Sequence, residues 1–188
     1  MMTKKWLLLP VSLAFAAAIY GYVRHRQSYT GAQLAVELQR SGDMNKTDAE
    51  HFGRIQDQTS DRTPLSDGDV DWLMDIARRP GTTEQMETRR QWAGIIFMVA
   101  PLAKVSPTRK DAIFTFAAEL TAYRNPVDPK TDDSGGRYMA CKIFRNLRDD
   151  RALPYLTVLT HDPDVVVRVT AQHDIRLLTH KLRPGEAP

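Results

Sequence analysis

Three kinds of residue in this chain have the type and spacing that chemistry would need: clustered acids, spaced histidines and one cysteine. The stretch DMNKTDAE, Asp43 to Glu50, begins like a calcium loop. Such a loop needs glycine at its sixth place and a bidentate glutamate at its twelfth. Asp48 and Arg54 hold those places, which excludes the site. DGDVD, Asp67 to Asp71, stands at a helix start, where carboxylates cap free N–H groups and meet the positive end of the dipole. DPKTDDSGG, from Asp128, has acids and turn residues without ligand spacing and reads as a solvated loop.

His173 and His180 share one helix face but stand two turns apart, about 10 Å, too far to share a metal. They lie off the apolar stripe, among Arg176, Lys181 and Arg183, so solvent exposure is expected; His161 belongs to the preceding turn. Cys141 is the only cysteine, which excludes an internal disulfide. Its neighbours Ala140, Ile143 and Phe144 mark it as a small packed residue, and a nucleophile would need a base and an orienting group beside it. No glycine-rich phosphate loop, G-x-S-x-G, H-E-x-x-H or C-x-x-C motif occurs. The expectation is therefore no catalysis, no cofactor and no metal. A hydrolase or lyase acting in a groove between helices is the alternative from a different class.

The elements that position these residues begin with an uncharged run, Trp6 to Val23, of 18 residues. At roughly 1.5 Å per residue it reaches about 27 Å, close to a bilayer core. Trp6 at one end and Tyr20 and Tyr22 at the other suit the headgroup level. Residues 1–26 are thus expected to be a single-pass transmembrane helix, with the body on the extracytoplasmic side. Lys4, Lys5 and Ala16 to Ala18 also fit a cleaved signal segment, which would release the body as an exported soluble domain. Without Lys4, Lys5, Arg24 and Arg26, the remaining 22 basic residues face 23 acids, a balance that gives nucleic acid no support as a partner.

After Tyr29 every segment reads as helix and turn. Residues 27–66 suggest a helical adaptor and linker, with helices over Thr30 to Arg40 and Lys46 to Gln56 and a loop from Asp57 to Gly68. Residues 67–183 suggest three helix pairs, the second opening at Ser106 with Pro107 in the first helical position. Trp72 and Trp92 fall in the first pair and are expected in the core. Residues 184–188 are a polar tail.

Across those pairs one pattern returns. Arg90, Ala93, Phe97 and Ala100 match Arg137, Ala140, Phe144 and Leu147, and then Arg168, Ala171, Ile175 and Leu178. Offsets of three, seven and ten span roughly 80° of a helix, one narrow stripe. The alanine lets a neighbouring helix approach, and the larger residues fill the space between layers. A single pair has too little buried surface to fold alone, so stacking must supply the core.

This pattern resembles HEAT repeats, antiparallel helix pairs stacked into an α-solenoid, and does so best in RALPYLTVLTHDPDVVVRVTAQHDIRLL, Arg151 to Leu178. The resemblance implies that a turn Asp and a second-helix Arg six residues later, here Asp162 and Arg168, bond between adjacent repeats. Glu84 and Thr131 occupy the matching places before Arg90 and Arg137, so the ladder is degraded. As function, the resemblance implies binding of a macromolecule. The expected protein is all-α, a short HEAT-like solenoid behind an N-terminal transmembrane helix. It would serve as a scaffold for a protein partner.

Overall fold

The computed structural model describes residues 30–122 and 134–179; the apolar run 6–23, His180 and the tail 184–188 lie outside the described residues. The chain is all-α, with no strand among the described residues. Its helices are α1 (Gly31–Arg40), α2 (Lys46–Ser60), α3 (Asp67–Arg78), α4 (Thr83–Val99), α5 (Pro107–Thr121), α6 (Gly135–Leu147), α7 (Leu153–Leu159) and α8 (Val165–Thr179). A 3-10 turn, Asp150–Ala152, leads into α7. Among the described residues, no helix is long and apolar enough to cross a membrane.

Local chemistry sets the helix starts. Thr30 with Gln33, Ser66 with Asp69 and Thr82 with Gln85 form reciprocal capping boxes, each satisfying two otherwise orphaned N–H groups. Ser106 occupies the N-cap place of α5, but its hydroxyl is buried without a partner. Its backbone N–H donates instead to Asp67 Oδ1 at 2.7 Å, tying the start of α5 to the start of α3. Helix α2 runs four residues past Gln56, into the expected loop. There the hydroxyls of Thr59 and Ser60 donate to the carbonyls of Ile55 and Gln56, at 2.8 and 3.0 Å. These turn-forming side chains spend their hydrogen bonds within the helix.

The helices from Asp67 onward pack as three pairs, α3 on α4, α5 on α6 and α7 on α8. Helices α3, α5 and α7 touch in sequence to form one layer, and α4, α6 and α8 form the other. The recurring stripe lies inside. Ala93, Phe97, Ala100, Ala140, Phe144 and Ala171 are fully buried, Leu178 is buried, and Leu147 and Ile175 are half-buried against the same core.

Residues 30–60, expected as part of an adaptor, pack on the body. Helices α1 and α2 form a hairpin, and α2 covers the end of the α3–α4 pair. His51 stacks on Trp72 with centroids 4.2 Å apart, and Phe52 sets an edge against Trp92 at 5.7 Å. Trp92 is buried as expected, whereas Trp72 is half-buried. Leu34, Leu38, Phe52 and Ile55 join the same hydrophobic cluster as Phe97 and Phe144. Gly31 and Gly53 bring the hairpin backbones together: a Cβ on Gly31 would lie 2.0 Å from the Gly53 carbonyl oxygen. Asp57 Oδ1 accepts the Gly31 N–H at 2.6 Å, capping α1 from the neighbouring helix.

Candidate functional site

The joints between pairs are polar and specific. Arg137 on α6 donates from Nε to Asp162 Oδ2 at 2.6 Å and from Nη2 to Asp162 Oδ1 at 3.2 Å. Both side chains are buried. Asp162 lies in the α7–α8 turn, so this forked pair ties the third pair of helices to the second. The expected partner, Arg168, does not take the Asp162 carboxylate. Its Nη1 donates to the backbone carbonyls of Asp162 and Pro163, at 2.6 and 2.7 Å, fastening its own turn. Asp162 Oδ1 also accepts the Asp164 N–H, so one carboxylate serves both the turn and the inter-pair joint.

The first pair uses Arg89 in this way. Its Nη1 donates to Arg79 O at 2.9 Å and its Nε to Asp43 O at 3.0 Å, joining the α3–α4 turn to the N-terminal hairpin. Arg89 is buried, whereas Arg90, the residue singled out by the repeat pattern, is half-buried. On α6, the Asn146 amide donates to the carbonyls of Phe97 and Ala100, at 2.8 and 2.9 Å, satisfying the end of α4.

Among the described residues, these joints leave part of the second layer uncovered. Helix α4 is buried on the sides that meet α2, α3 and α6, and carries half-buried Thr88, Gln91, Ile95 and Met98 along a single stripe, of which Thr88, Gln91 and Ile95 also line a cleft against α1. Helix α6 presents Tyr138, Lys142 and Arg145 at offsets of four and seven. Helix α8 shows Val165, Val169, Gln172 and Arg176. Helices α4, α6 and α8 lie side by side, so the three stripes, which mix apolar and cationic groups, belong to one layer. Lys142 Nζ stands 5.3 Å from the centre of the Tyr138 ring, and burial lowers the Lys142 ammonium and raises the Tyr138 phenol. The opposite layer is laced by exposed ion pairs, Arg109 to Asp71 at 2.8 Å, Arg151 to Asp111 at 2.6 Å and Arg78 to Glu119 at 3.6 Å. Such exposed pairs contribute little stability.

Beneath the α6–α8 face sits an unexpected group. Asp174 is fully buried, and neither carboxylate oxygen has a hydrogen-bond partner. Arg145 Nη1 is 3.8 Å from Oδ1, beyond hydrogen-bond reach. Burial raises the Asp174 carboxyl above the usual range, opposed by Lys142, Arg145 and His173. Cys141 is buried beside this seam, and desolvation, with a smaller contribution from Asp174, pushes its thiol up to about 12. That is the opposite of what an activated nucleophile requires. The spacing Val167, Ala171, Asp174, Leu178 is a sequence signal that Asp174 points inward; these positions stand at offsets of four, seven and eleven.

Two clefts, of about 150 and 170 Å3, lie where the N-terminal hairpin meets the body. The first is lined by Glu37, Ser41, Gln91 and Trp92, the second by Asp48, Arg79 and Arg89. Both are smaller than the pockets of about 300 Å3 or more that enclose small ligands. Among the described residues no group of three His, Cys, Asp or Glu is placed to hold a metal ion. The acids of DGDVD bind within the protein: Asp69 caps α3, Asp67 takes the Ser106 N–H and Asp71 pairs with Arg109. His173 is half-buried beside Asp174, and exposed His161 lies 3.0 Å from the Thr160 hydroxyl.

The fold and this face define an all-α protein built of stacked helix pairs. No family model, curated protein or solved structure matches the chain.

Proposed function

We propose that this chain is a short HEAT-like α-solenoid that serves as a scaffold, held at a membrane by residues 6–23 with its body on the extracytoplasmic side. The partner is a protein, bound on the face formed by α4, α6 and α8. One observation supports the reading: α4, α6 and α8 pack side by side in one layer, and each keeps a row of residues that its neighbours do not bury. Ile95, Tyr138 and Val169 offer apolar contact, while Lys142, Arg145 and Arg176 offer charge. Interfaces with that mixture are ordinary for proteins that bind proteins. Burial of the Cys141 thiol removes that side chain as a nucleophile at this face.

The test is photo-crosslinking from single positions of the full chain in its native membrane. Crosslinkers at Ile95, Lys142 and Gln172 should give one common adduct, and crosslinkers at Asp75 and Thr115 on the opposite layer should not. Equal labelling from both layers, or no adduct from the α4–α6–α8 face, refutes the assignment of the face. Recovery of the uncleaved full-length chain in the soluble fraction refutes the tether.

A further inference from the structure

A buried carboxylate with no hydrogen bond is an expensive arrangement when it is ionised. The cost of stripping water from the charge is returned only by close pairing and hydrogen bonding. Asp174 has neither as it stands, since both oxygens are unbonded and the nearest guanidinium is 3.8 Å away. Protonation removes that cost. So would a small movement of Arg145, because a charged N–H···O bond forms at about 2.7–2.9 Å and the gap exceeds that by only about 1 Å. Arg145 is free to make the movement, with 43% of its side chain exposed against 0% for Asp174.

We infer that Asp174 is a proton-operated latch on the α6–α8 seam. Neutral, it sits unbonded in the seam and leaves Arg145 on the open face; ionised, it draws the Arg145 guanidinium inward across the gap. The groups that face it among the described residues are few. Helix α6 contributes Tyr138, Cys141, Lys142 and Arg145, and its own helix contributes His173. Helix α7, packed on the other side of α8, carries one titratable side chain, Tyr155, whose ring lies against Phe114 and Phe144. Cations therefore outnumber anions around the carboxylate. Of the two long cations on this face, Lys142 exerts the larger pull but stands over the Tyr138 ring, and Arg145, 3.8 Å away, is the one placed to close on the carboxylate. The inference does not depend on the scaffold reading, because it concerns the seam with or without a partner.

The direction of the pH effect follows. The fold favours the neutral acid, so the folded chain keeps this proton above the unfolded value of about 3.9. The stabilisation that comes with the proton is whole below about pH 3.9 and is lost as pH rises through the folded value.

The experiment is a carbon-13 titration of the aspartate carboxyls of the full chain in mild detergent, paired with melting at pH 4 and pH 7. One aspartate resonance should titrate above all the others and vanish in Asp174→Asn. In Arg145→Gln the same resonance should move further upward, which keeps the test open if Asp174→Asn fails to fold. Arg145→Gln should also lower the melting midpoint more at pH 7 than at pH 4. If every aspartate titrates at or below the ordinary range, or if Arg145→Gln acts equally at both pH values, the latch does not exist.

Discussion

Removing the guanidinium at position 137 isolates the joint between the last two helix pairs. Arg137→Met keeps much of the side-chain volume but leaves the Asp162 carboxylate, which is 4% exposed, without its forked partner. Breaking one half of a buried pair costs about 3–5 kcal/mol, because the remaining charge is stripped of water and left uncompensated. For a chain of this size each kcal/mol moves the melting midpoint by about 2–4 °C, so a fall of roughly 6–20 °C is expected. Asp162→Asn in the same background should recover part of the loss. The buried charge disappears, while the amide oxygen still accepts the Asp164 N–H now held at 2.9 Å. The two substitutions are thus non-additive, the double variant being more stable than Arg137→Met alone. The assay is urea and thermal unfolding of the full chain followed by circular dichroism. An Arg137→Met variant within about 0.5 kcal/mol of wild type, the range of ordinary surface changes, would mean that this joint is not formed.

Two further expectations test other parts of the fold. Gly53→Ala should destabilise the N-terminal hairpin by about 1–3 kcal/mol, since its Cβ would lie 2.3 Å from the Gly31 carbonyl oxygen. The helix-propensity gain of about 0.5–1 kcal/mol is too small to offset that clash, and unfolding of the variant in urea gives the sign. Cys141, buried with its thiol pushed up to about 12, should resist alkylation of the native chain at pH 8 and react fully in denaturant. Labelling of native protein at the denatured rate would show that the α6 seam is open.

Much of the architecture was legible because apolar spacing reports burial directly. Ala140, Phe144 and Ala171 lie in the core where their stripe puts them, and Asp162-Pro163 falls between α7 and α8. The polar joints were harder to read. Arg89 and Arg90 are adjacent, and periodicity alone does not say which one turns towards the α3–α4 connection. The resemblance joined Asp162 and Arg168 between adjacent repeats, but Arg168 fastens its own turn and the carboxylate goes to Arg137, 25 residues earlier, a choice made by the stacking of pairs. The role of α2 was obscured by its sparse apolar face, since Ala49, Phe52 and Ile55 sit among Lys46, Glu50, Arg54 and Gln58. It covers the end of the stack largely through two aromatic rings, His51 on Trp72 and Phe52 on Trp92. Asp174 was not singled out by the repeat stripe; the spacing of Val167, Ala171, Asp174 and Leu178 marks it as inward, but no spacing shows that it lacks a partner, because hydrogen-bond partners are set by neighbouring helices.

The central claim is that the helix pairs stack, so that each supports the next, and the last pair tests it most directly. Ending the chain at Asp149 removes Leu156, Leu159, Val167 and Leu178, all buried, and leaves Ala140, Phe144 and Arg137 without their cover. Four such side chains, at about 1.5–3 kcal/mol each, are comparable with the whole net stability of a domain. The measurement is the thermal unfolding of residues 1–149 against residues 1–188 in the same detergent, followed by circular dichroism. Stacking predicts a markedly lower midpoint, loss of helix beyond that of the deleted residues, and association through the uncovered seam. An unchanged midpoint would contradict it, because the final pair would then be folding beside the others and not on them.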